Sequence, residues 1–517
     1  MTRLPRRGSR NRRRPKPPQA RATKPNAQSP PTTLPNTTAA PTPTIDQHPS
    51  TTIPARLDRL PWSRWHWRVT IALGVAWVLD GLEVTLVGSV GAVLERPDTL
   101  GLTATQVGWT GSLYIGGAVI GALAFGRMAD HLGRKRLFLA TLLIYMAATL
   151  ATAFAPGFGL FALCRFVTGL GIGGEYAAIN SAIDELIPAR VRGRVNLGIN
   201  GSFWLGAALG AGLSLLLLDP RVLGPVWGWR ACFALGALLA GAIVLVRRHV
   251  PESPRWLAAH GKHAEALAVV AAIEAEVAAT QGPLPQPAPS CHARAGRAPP
   301  LRVAIRLLVR RYRRRSVVTL ALMVSQAFFY NAIFFTYALV LTRFHGVPEG
   351  RVALYIFPFA IGNAAGPLVL GPLFDHVGRR RMIALTYVLA GIGLALTGWA
   401  FMQGWLDARS QALCWSVVFF LASAAASSAY LTASEVFPLE MRALAISIFY
   451  AAGTATGGFI APVLFGALIE TGSRGAVAAG YAFGAVLVIV AGLLALRFGV
   501  DAERRTLEDV AQPLGDR

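Results

Sequence analysis

Twelve apolar runs, each long enough to cross about 30 Å of hydrocarbon at ~1.5 Å per residue, constrain this chain more than any other feature. They fall near residues 69–93, 107–126, 137–155, 158–182, 195–218 and 229–246, and, after a polar interval, near 316–342, 352–373, 382–403, 411–433, 443–468 and 476–496. With 53% hydrophobic and 15% charged residues, the chain cannot cover itself with polar surface in water, where an ordinary domain carries about 25% charged residues. The expectation is an all-α integral membrane protein with twelve transmembrane helices, six plus six.

The formal net charge of +24 would suit a nucleic-acid binder, but its placement points elsewhere. Residues 1–24 hold ten Arg/Lys and no acid, and residues 247–315 hold thirteen Arg/Lys against four Glu. Every second short loop is basic as well, with Arg127, Arg134, Lys135 and Arg136 in one half and Arg379 to Arg381 in the other. The alternate loops carry seven arginines against six acids. By the positive-inside rule both termini and the central loop are cytoplasmic, in a multi-pass protein of the plasma or inner membrane that binds membrane lipid and no nucleic acid. The cysteines Cys164, Cys232, Cys291 and Cys414 lack CxxC or CxxH spacing, so neither a disulfide framework nor a metal site is expected.

Five segments follow. Residues 1–65 are read as a disordered basic cytoplasmic tail, 66–248 as the first six-helix half, 249–314 as a cytoplasmic central loop, 315–499 as the second half and 500–517 as a cytoplasmic C-terminal tail. Residues 1–60 are rich in Arg, then in Pro, Thr and Ala, and show no apolar periodicity; no secretory h-region follows the basic run. In the central loop the Ala-rich 257–278 stretch reads as short helices along the inner face, and 281–300, with six prolines, as an unstructured linker.

The chain also repeats itself. Gly126-Arg-Met-Ala-Asp130-His-Leu-Gly133-Arg134-Lys135-Arg136 recurs as Gly371-Pro-Leu-Phe-Asp375-His-Val-Gly378-Arg379-Arg380-Arg381, 245 residues later. Glu185-Leu-Ile-Pro188-Ala-Arg-Val-Arg192 recurs as Glu435-Val-Phe-Pro438-Leu-Glu-Met-Arg442, 250 residues later. Two halves of like orientation with a site between them is a parallel-repeat plan. At the ends of neighbouring helices, Asp130, Asp375, Glu185 and Glu435 can pair with Arg134, Arg136, Arg192, Arg379 and Arg442 in one packing of the bundle and separate in another, biasing a two-state equilibrium.

These motifs resemble the major facilitator superfamily, and within it the sugar porter and metabolite/proton symporter branches, over roughly residues 65–510. The doubled Gly-x-x-x-Asp-x-x-Gly-Arg loop resembles that superfamily's signature, which implies a gating role for Gly126, Gly133 and Gly378 beside the charges. Pro251-Glu252-Ser253-Pro254-Arg255, Arg165-Phe-Val-Thr-Gly169-Leu-Gly171-Ile-Gly173-Gly174-Glu175 and Glu503-Arg-Arg-Thr-Leu507-Glu508 are similar to the sugar-porter set. The resemblance implies the major facilitator fold and a secondary transporter working by alternating access. Substrate-binding positions carried over are Gln326, Tyr330, Asn331, Phe334 and Phe335 in the seventh span, Tyr430 in the tenth, and Asn200 and Trp204 in the fifth. The sugar-porter pattern is broken by Ser325 for a glutamine, by Phe334 and Phe335 for two tyrosines, by Gly201 after Asn200, and by Ser427-Ser-Ala-Tyr430 in the tenth span. A hexose needs many paired donors and acceptors, and these replacements remove several.

With Arg230, at the very edge of the sixth span, counted with the loop before it, four Asp, Glu, Lys or Arg residues remain within the spans, all in the first half: Asp80, Glu83, Arg165 and Glu175. A charge at a helix centre costs on the order of 3 kcal/mol, so each implies a function and a partner. The first span runs outward and the fourth inward, which places Glu83 about 21 Å from the inner boundary and Arg165 about 11 Å from the outer one, near the same level. Asp80 lies one turn deeper on the Glu83 face, and Asp80-Gly-Leu-Glu83 resembles the Asp-Gly-Tyr-Asp of aromatic-acid/proton symporters. The expected function is proton-coupled symport of a small polar metabolite by a monomer without cofactors. Organic acids and related anions stand ahead of sugars and polyols, because Arg165 can face an anionic group. A drug or metabolite/proton antiporter or a uniporter of the same fold is the alternative. Against an antiporter, the fifth span has Gly206, Gly210 and Gly212 but lacks a Gly-Pro pair. An enzyme would need a nucleophile or metal constellation, and neither GxSxG nor HExxH occurs.

Overall fold

A computed structural model describes residues 49–132, 134–219, 221–247, 251–286, 300–438 and 441–500, all within one compact unit. Among the described residues regular structure is helical throughout. The first six spans are α2 (Arg64–Leu94), α3 (Ala104–Leu132), α4 (Arg134–Ala153), α5 (Phe158–Leu186), α6 (Ala189–Leu217) and α7 (Gly224–Arg247), preceded by a short α1 (Pro49–Asp58). Between the halves lie α8 (Pro254–Ala259), α9 (His263–Gln281) and α10 (Leu301–Arg310). The second set is α11 (Arg313–Phe334) with α12 (Tyr337–His345), α13 (Ile356–His376) after a 3₁₀ turn at Glu349–Tyr355, α14 (Arg379–Met402) and α15 (Ala408–Glu435), followed by α16 (Arg442–Gly453) with α17 (Phe459–Glu470), and α18 (Arg474–Phe498). Ten helices meet the length and hydropathy needed to cross a membrane on their described residues. The remaining two spans of the twelve-helix fold are α6, apolar over Gly201–Leu217, and α7.

The repeat in sequence returns as a repeat in packing. In the first half α3 packs on α5, α2 on α6 and α4 on α7; in the second α13 packs on α15, α11 on α16 and α14 on α18. The α3–α5 contact depends on glycine. A Cβ at Gly173 would run into the carbonyl of Ala118, and one at Gly117 into that of Phe166, so the two backbones touch where any larger residue would part them. Gly378 has a different reason to be glycine: it precedes α14 at φ 104°, a conformation open only to a residue without Cβ.

Three elements depart from the sequence reading. The seventh span breaks at Phe335-Thr336, where the Thr336 hydroxyl turns back onto the Ala332 carbonyl, making α11 and α12 separate helices. The eleventh loosens into a π turn at Thr454–Gly458, just before Pro462, which has no N–H to offer the Gly458 carbonyl. Residues 49–58, read as part of an irregular tail, form α1, since Ile53, Leu57 and Leu60 recur on one face and are buried against the first half and α9. Arg56 and Arg59 on its flank bind Glu274 of α9 at 2.6 Å each. The Pro-rich linker lies mostly outside the described residues, as do most of the N-terminal tail, Cys291 and residues 501–517.

Candidate functional site

Glu83 of α2 and Arg165 of α5, 82 positions apart, meet as a wholly buried ion pair, Arg165 Nη1 to Glu83 Oε1 at 2.6 Å with the guanidinium 0% exposed. The pair is enclosed by α4, α5 and α7. Arg165 Nη2 donates to the hydroxyls of Thr152 and Thr168 at 3.1 and 3.0 Å, the Thr149 hydroxyl approaches both Glu83 oxygens at 3.4 Å, and the Phe233 ring lies 4.8 Å from the guanidinium carbon. A buried charge is tolerated only when paired and hydrogen-bonded, and here neutral hydroxyls supply what the carboxylate does not. Since the guanidinium is closed off, it does not face open space as the sequence reading supposed for a substrate anion.

Asp80, one helical turn before Glu83, points elsewhere. It is half-buried and accepts a 2.9 Å hydrogen bond from the Tyr114 hydroxyl of α3. It lies within electrostatic range of Glu83 and Glu175, and of Tyr450 on α16 of the second half. Glu175, 4% exposed on α5, completes the group. All four charges found in the sequence therefore belong to one neighbourhood, two of them locked to each other and one beside the other half of the molecule.

The seventh-span residues divide into two sets. Gln326, Tyr330 and Asn331 are half-buried, but part of their hydrogen-bonding capacity is already spent within the second half: the Tyr330 hydroxyl donates to Asn363 Oδ1 at 2.7 Å and the Asn331 amide to the Ala327 carbonyl at 2.7 Å. Gln326 and Tyr330 also line a small cleft with Phe329 and Tyr387. Phe334 and Phe335 are 5% exposed and sit where the halves touch, Phe334 against Trp204 and Phe203 of α6 and Phe335 against Tyr114, with ring centroids 6.2 to 6.4 Å apart. Tyr430 stands 6.2 Å from Tyr450. The side chain of Asn200 lies outside the described residues.

Polar contacts also join the halves at the end of the bundle that carries the 95–103 and 345–349 loops. Ser89 pairs with Tyr337 at 2.8 Å, Arg343 with Glu95 at 2.8 Å, the Thr105 N–H donates to Glu470 at 2.9 Å, and Arg96 stands 3.8 Å from Glu349. Burial pushes the Glu95 carboxyl above its ordinary value while Arg343 pulls it back. At the opposite end, Arg136 is exposed and Arg379 lines a small cleft with Val318, Leu322 and Thr432. The side chains of Gly126, Asp130, Gly133, Arg134, Glu185, Arg192, Asp375, Glu435 and Arg442 lie outside the described residues. One contact there went unread in the sequence: both carboxylate oxygens of Glu252 accept from the backbone N–H of Lys135, in the first turn of α4, at 3.3 and 3.2 Å. Helix dipoles favour an anion at that position. Tyr114, Thr149, Thr152, Thr168 and Tyr450 were likewise unread; Thr168, three residues beyond Arg165 on one helix face, was the member that spacing could have found.

A family profile described as "Sugar (and other) transporter" matches residues 61–513. Over 461 residues the chain is 28% identical to the niacin transporter NiaP of Acinetobacter baylyi, covering 88% of this chain and 99% of that protein. Over 421 residues it is 28% identical to a gallate transporter of Pseudomonas putida, covering 80% and 88%. Its fold is similar to that of the xylose transporter XylE of E. coli in a partially occluded inward-open conformation, with a TM-score of 0.66 at 17% identity over 86% of this chain and all of that one.

Proposed function

Because the chain belongs to the Sugar (and other) transporter family, within the major facilitator superfamily, and is a membrane transporter rather than an enzyme, we propose that it carries a small aromatic or heteroaromatic acid together with a proton by alternating access. The observation that carries this reading is the buried Glu83–Arg165 pair with Asp80 one turn away, within electrostatic range of Tyr450 of the second half. A carboxyl that lies within electrostatic range of the second half can exchange a proton when the halves part. The neighbouring pair keeps the local charge fixed.

The substrate class rests on the wall and on the relatives. Trp204, Phe203, Tyr430 and Tyr450 offer flat apolar faces, whereas Tyr330 and Asn331 are engaged with protein acceptors and a polyol would have to displace them. Relatives named for niacin and gallate carry ring acids. The outer end is closed in this state, held by Ser89–Tyr337 and Glu95–Arg343. The loop charges support a cytoplasmic side for both termini, and the residues of the doubled loop serve as the inner gate. Residues 66–248 and 315–499 rock as bodies.

The test is a thermal-shift panel of nicotinate, nicotinamide, gallate, 4-hydroxybenzoate and xylose on the purified protein, followed by uptake of any hit into proteoliposomes between pH 5.5 and 8. Stabilisation by a ring acid, rising with its concentration as linkage requires, and accumulation driven by an inward proton gradient are expected. Stabilisation by xylose alone, or uptake of the ring acid indifferent to the gradient, overturns the proposal.

A further inference from the structure

The helix just before the seventh span has three faces rather than two. In α10 the residues Ala304 and Leu308 are buried against the protein. About 80° around the helix, Leu301, Ile305 and Val309 form an apolar row at i, i+4 and i+8 that is 37%, 44% and 61% exposed. Roughly 100° further, Arg302, Arg306 and Arg310 form a parallel row, all exposed. Water has no use for the first row and the hydrocarbon core none for the second. The two side by side fit the boundary between acyl chains and headgroups.

The location fits too. Ser316 Oγ donates to the Leu308 carbonyl at 2.9 Å although eight residues of continuous helix would separate them by about 12 Å, so the chain turns sharply between α10 and the membrane-crossing α11. Tyr312 sits at that turn with Arg311 and Arg315 at 5.6 and 5.8 Å from its ring, an aromatic and cationic belt of the kind found at membrane interfaces. Between Glu276 and Glu349 the sequence contains no Asp or Glu, so the arginines at 302, 306, 310, 311, 313, 314 and 315 have no acid near them along the chain.

We infer that α10 is a lipid-binding interfacial helix, its Leu301-Ile305-Val309 row inserted among acyl chains and its Arg302-Arg306-Arg310 row holding anionic phospholipid headgroups. The bilayer surface thereby fixes the near end of α11, the helix that carries Gln326, Tyr330 and Asn331. The experiment places an environment-sensitive fluorophore at Val309→Cys, with the four native cysteines replaced by alanine, in the full chain embedded in phosphatidylcholine nanodiscs, and titrates in phosphatidylglycerol. Quenching by brominated acyl chains and protection from aqueous iodide are expected. The label should respond to phosphatidylglycerol with a midpoint that rises on the order of fivefold for Arg306→Gln, and the response should vanish in the triple Arg302→Gln, Arg306→Gln, Arg310→Gln variant. The triple lysine variant and a salt titration of the labelled parent chain keep the test valid if the glutamine variant does not fold: lysine should retain the response and 0.5 M salt should weaken it. Full iodide access overturns the insertion, and a response equal in the parent and triple-glutamine chains, or unmoved by salt, overturns the headgroup contact.

Discussion

Replacing Glu83 by glutamine removes one charge from the Glu83–Arg165 pair and almost no volume. The amide oxygen can still accept from Arg165 Nη1, and the contacts of Nη2 to Thr152 and Thr168 remain, but the guanidinium is then 0% exposed without a counter-ion inside its own cage. Breaking a buried pair from one side costs about 3–5 kcal/mol; with both threonine contacts kept, the low end, about 3 kcal/mol, is expected, or on the order of a hundredfold in an equilibrium constant. Beyond the cage, Asp80 and Glu175 are left to balance the cation. Glu83→Gln should therefore lower the thermal midpoint in detergent and lose accumulation driven by a pH gradient, while substrate exchange across proteoliposome membranes persists. The double variant Glu83→Gln, Arg165→Met removes both charges at similar volume, so it should regain most of the thermal stability, with a coupling energy in the cycle of a few kcal/mol. Unaltered stability and wild-type pH dependence of accumulation in Glu83→Gln would refute the claim that the pair is both buried and tied to coupling.

The clamp of α1 on α9 gives a pH-dependent outcome. Burial pushes the Glu274 carboxyl up, but hydrogen bonds from Arg56 and Arg59 outweigh it and hold it below its ordinary value of 4.5. A depressed carboxylate contributes stability that is present above the unfolded value and lost as pH falls through the folded one, so α1 should stay docked from about pH 5 to 8 and loosen below about pH 4. Glu274→Gln should loosen it at neutral pH and raise tryptic cleavage after Arg56 and Arg59 on the order of fivefold; unchanged cleavage would dismiss the clamp. Gly173→Ala, which drives a Cβ into the Ala118 carbonyl, should cost about 1–3 kcal/mol in thermal unfolding, whereas Gly159→Ala, with open space around it, should be near neutral; equal effects would mean that α3 and α5 do not rely on close backbone contact.

The spans and the repeat were legible because a run of about twenty apolar residues and an eleven-residue loop motif are local signals. Glu83 and Arg165 were legible because charge is rare inside such runs and depth along a helix is simple arithmetic. The partners of those charges were not. Tyr114 lies 34 positions from Asp80 and Thr149 lies 66 from Glu83, and a lone Tyr or Thr in an apolar helix carries no sign of what faces it. The break after Phe334 was invisible for a related reason. No Pro or Gly marks it, and it forms where Phe334, Phe335 and Tyr337 bind the first half, so tertiary contact overrides a sequence that reads as one helix. Helix α1 was hidden by three prolines and threonines around an apolar row only three residues strong, which needs Glu274 and the α9 surface to become a helix.

The two carboxyls of Asp80-Gly-Leu-Glu83 are not equivalent once their surroundings are compared. Glu83, Arg165, Thr149, Thr152 and Thr168 all belong to the first half, so rocking of one half against the other leaves that cage intact. Asp80 has one partner in its own half, Tyr114, and another neighbour, Tyr450, in the other half. A group can couple a proton to a conformational change only if its interactions differ between the states; under the proposed rocking Asp80 would meet that condition and the caged pair would not. The second half contributes no ionisable Asp, Glu, Lys or Arg within its sequence-read spans, so the difference in Asp80's environment is one of access and neutral dipoles rather than of a moving charge. The paired variants separate the roles. If Asp80 carries the proton against a fixed Glu83–Arg165 background, Glu83→Gln, Arg165→Met regains accumulation along with stability while Asp80→Asn abolishes it. If the double variant is stable yet cannot accumulate substrate, the proton resides on Glu83 and the cage must open during transport.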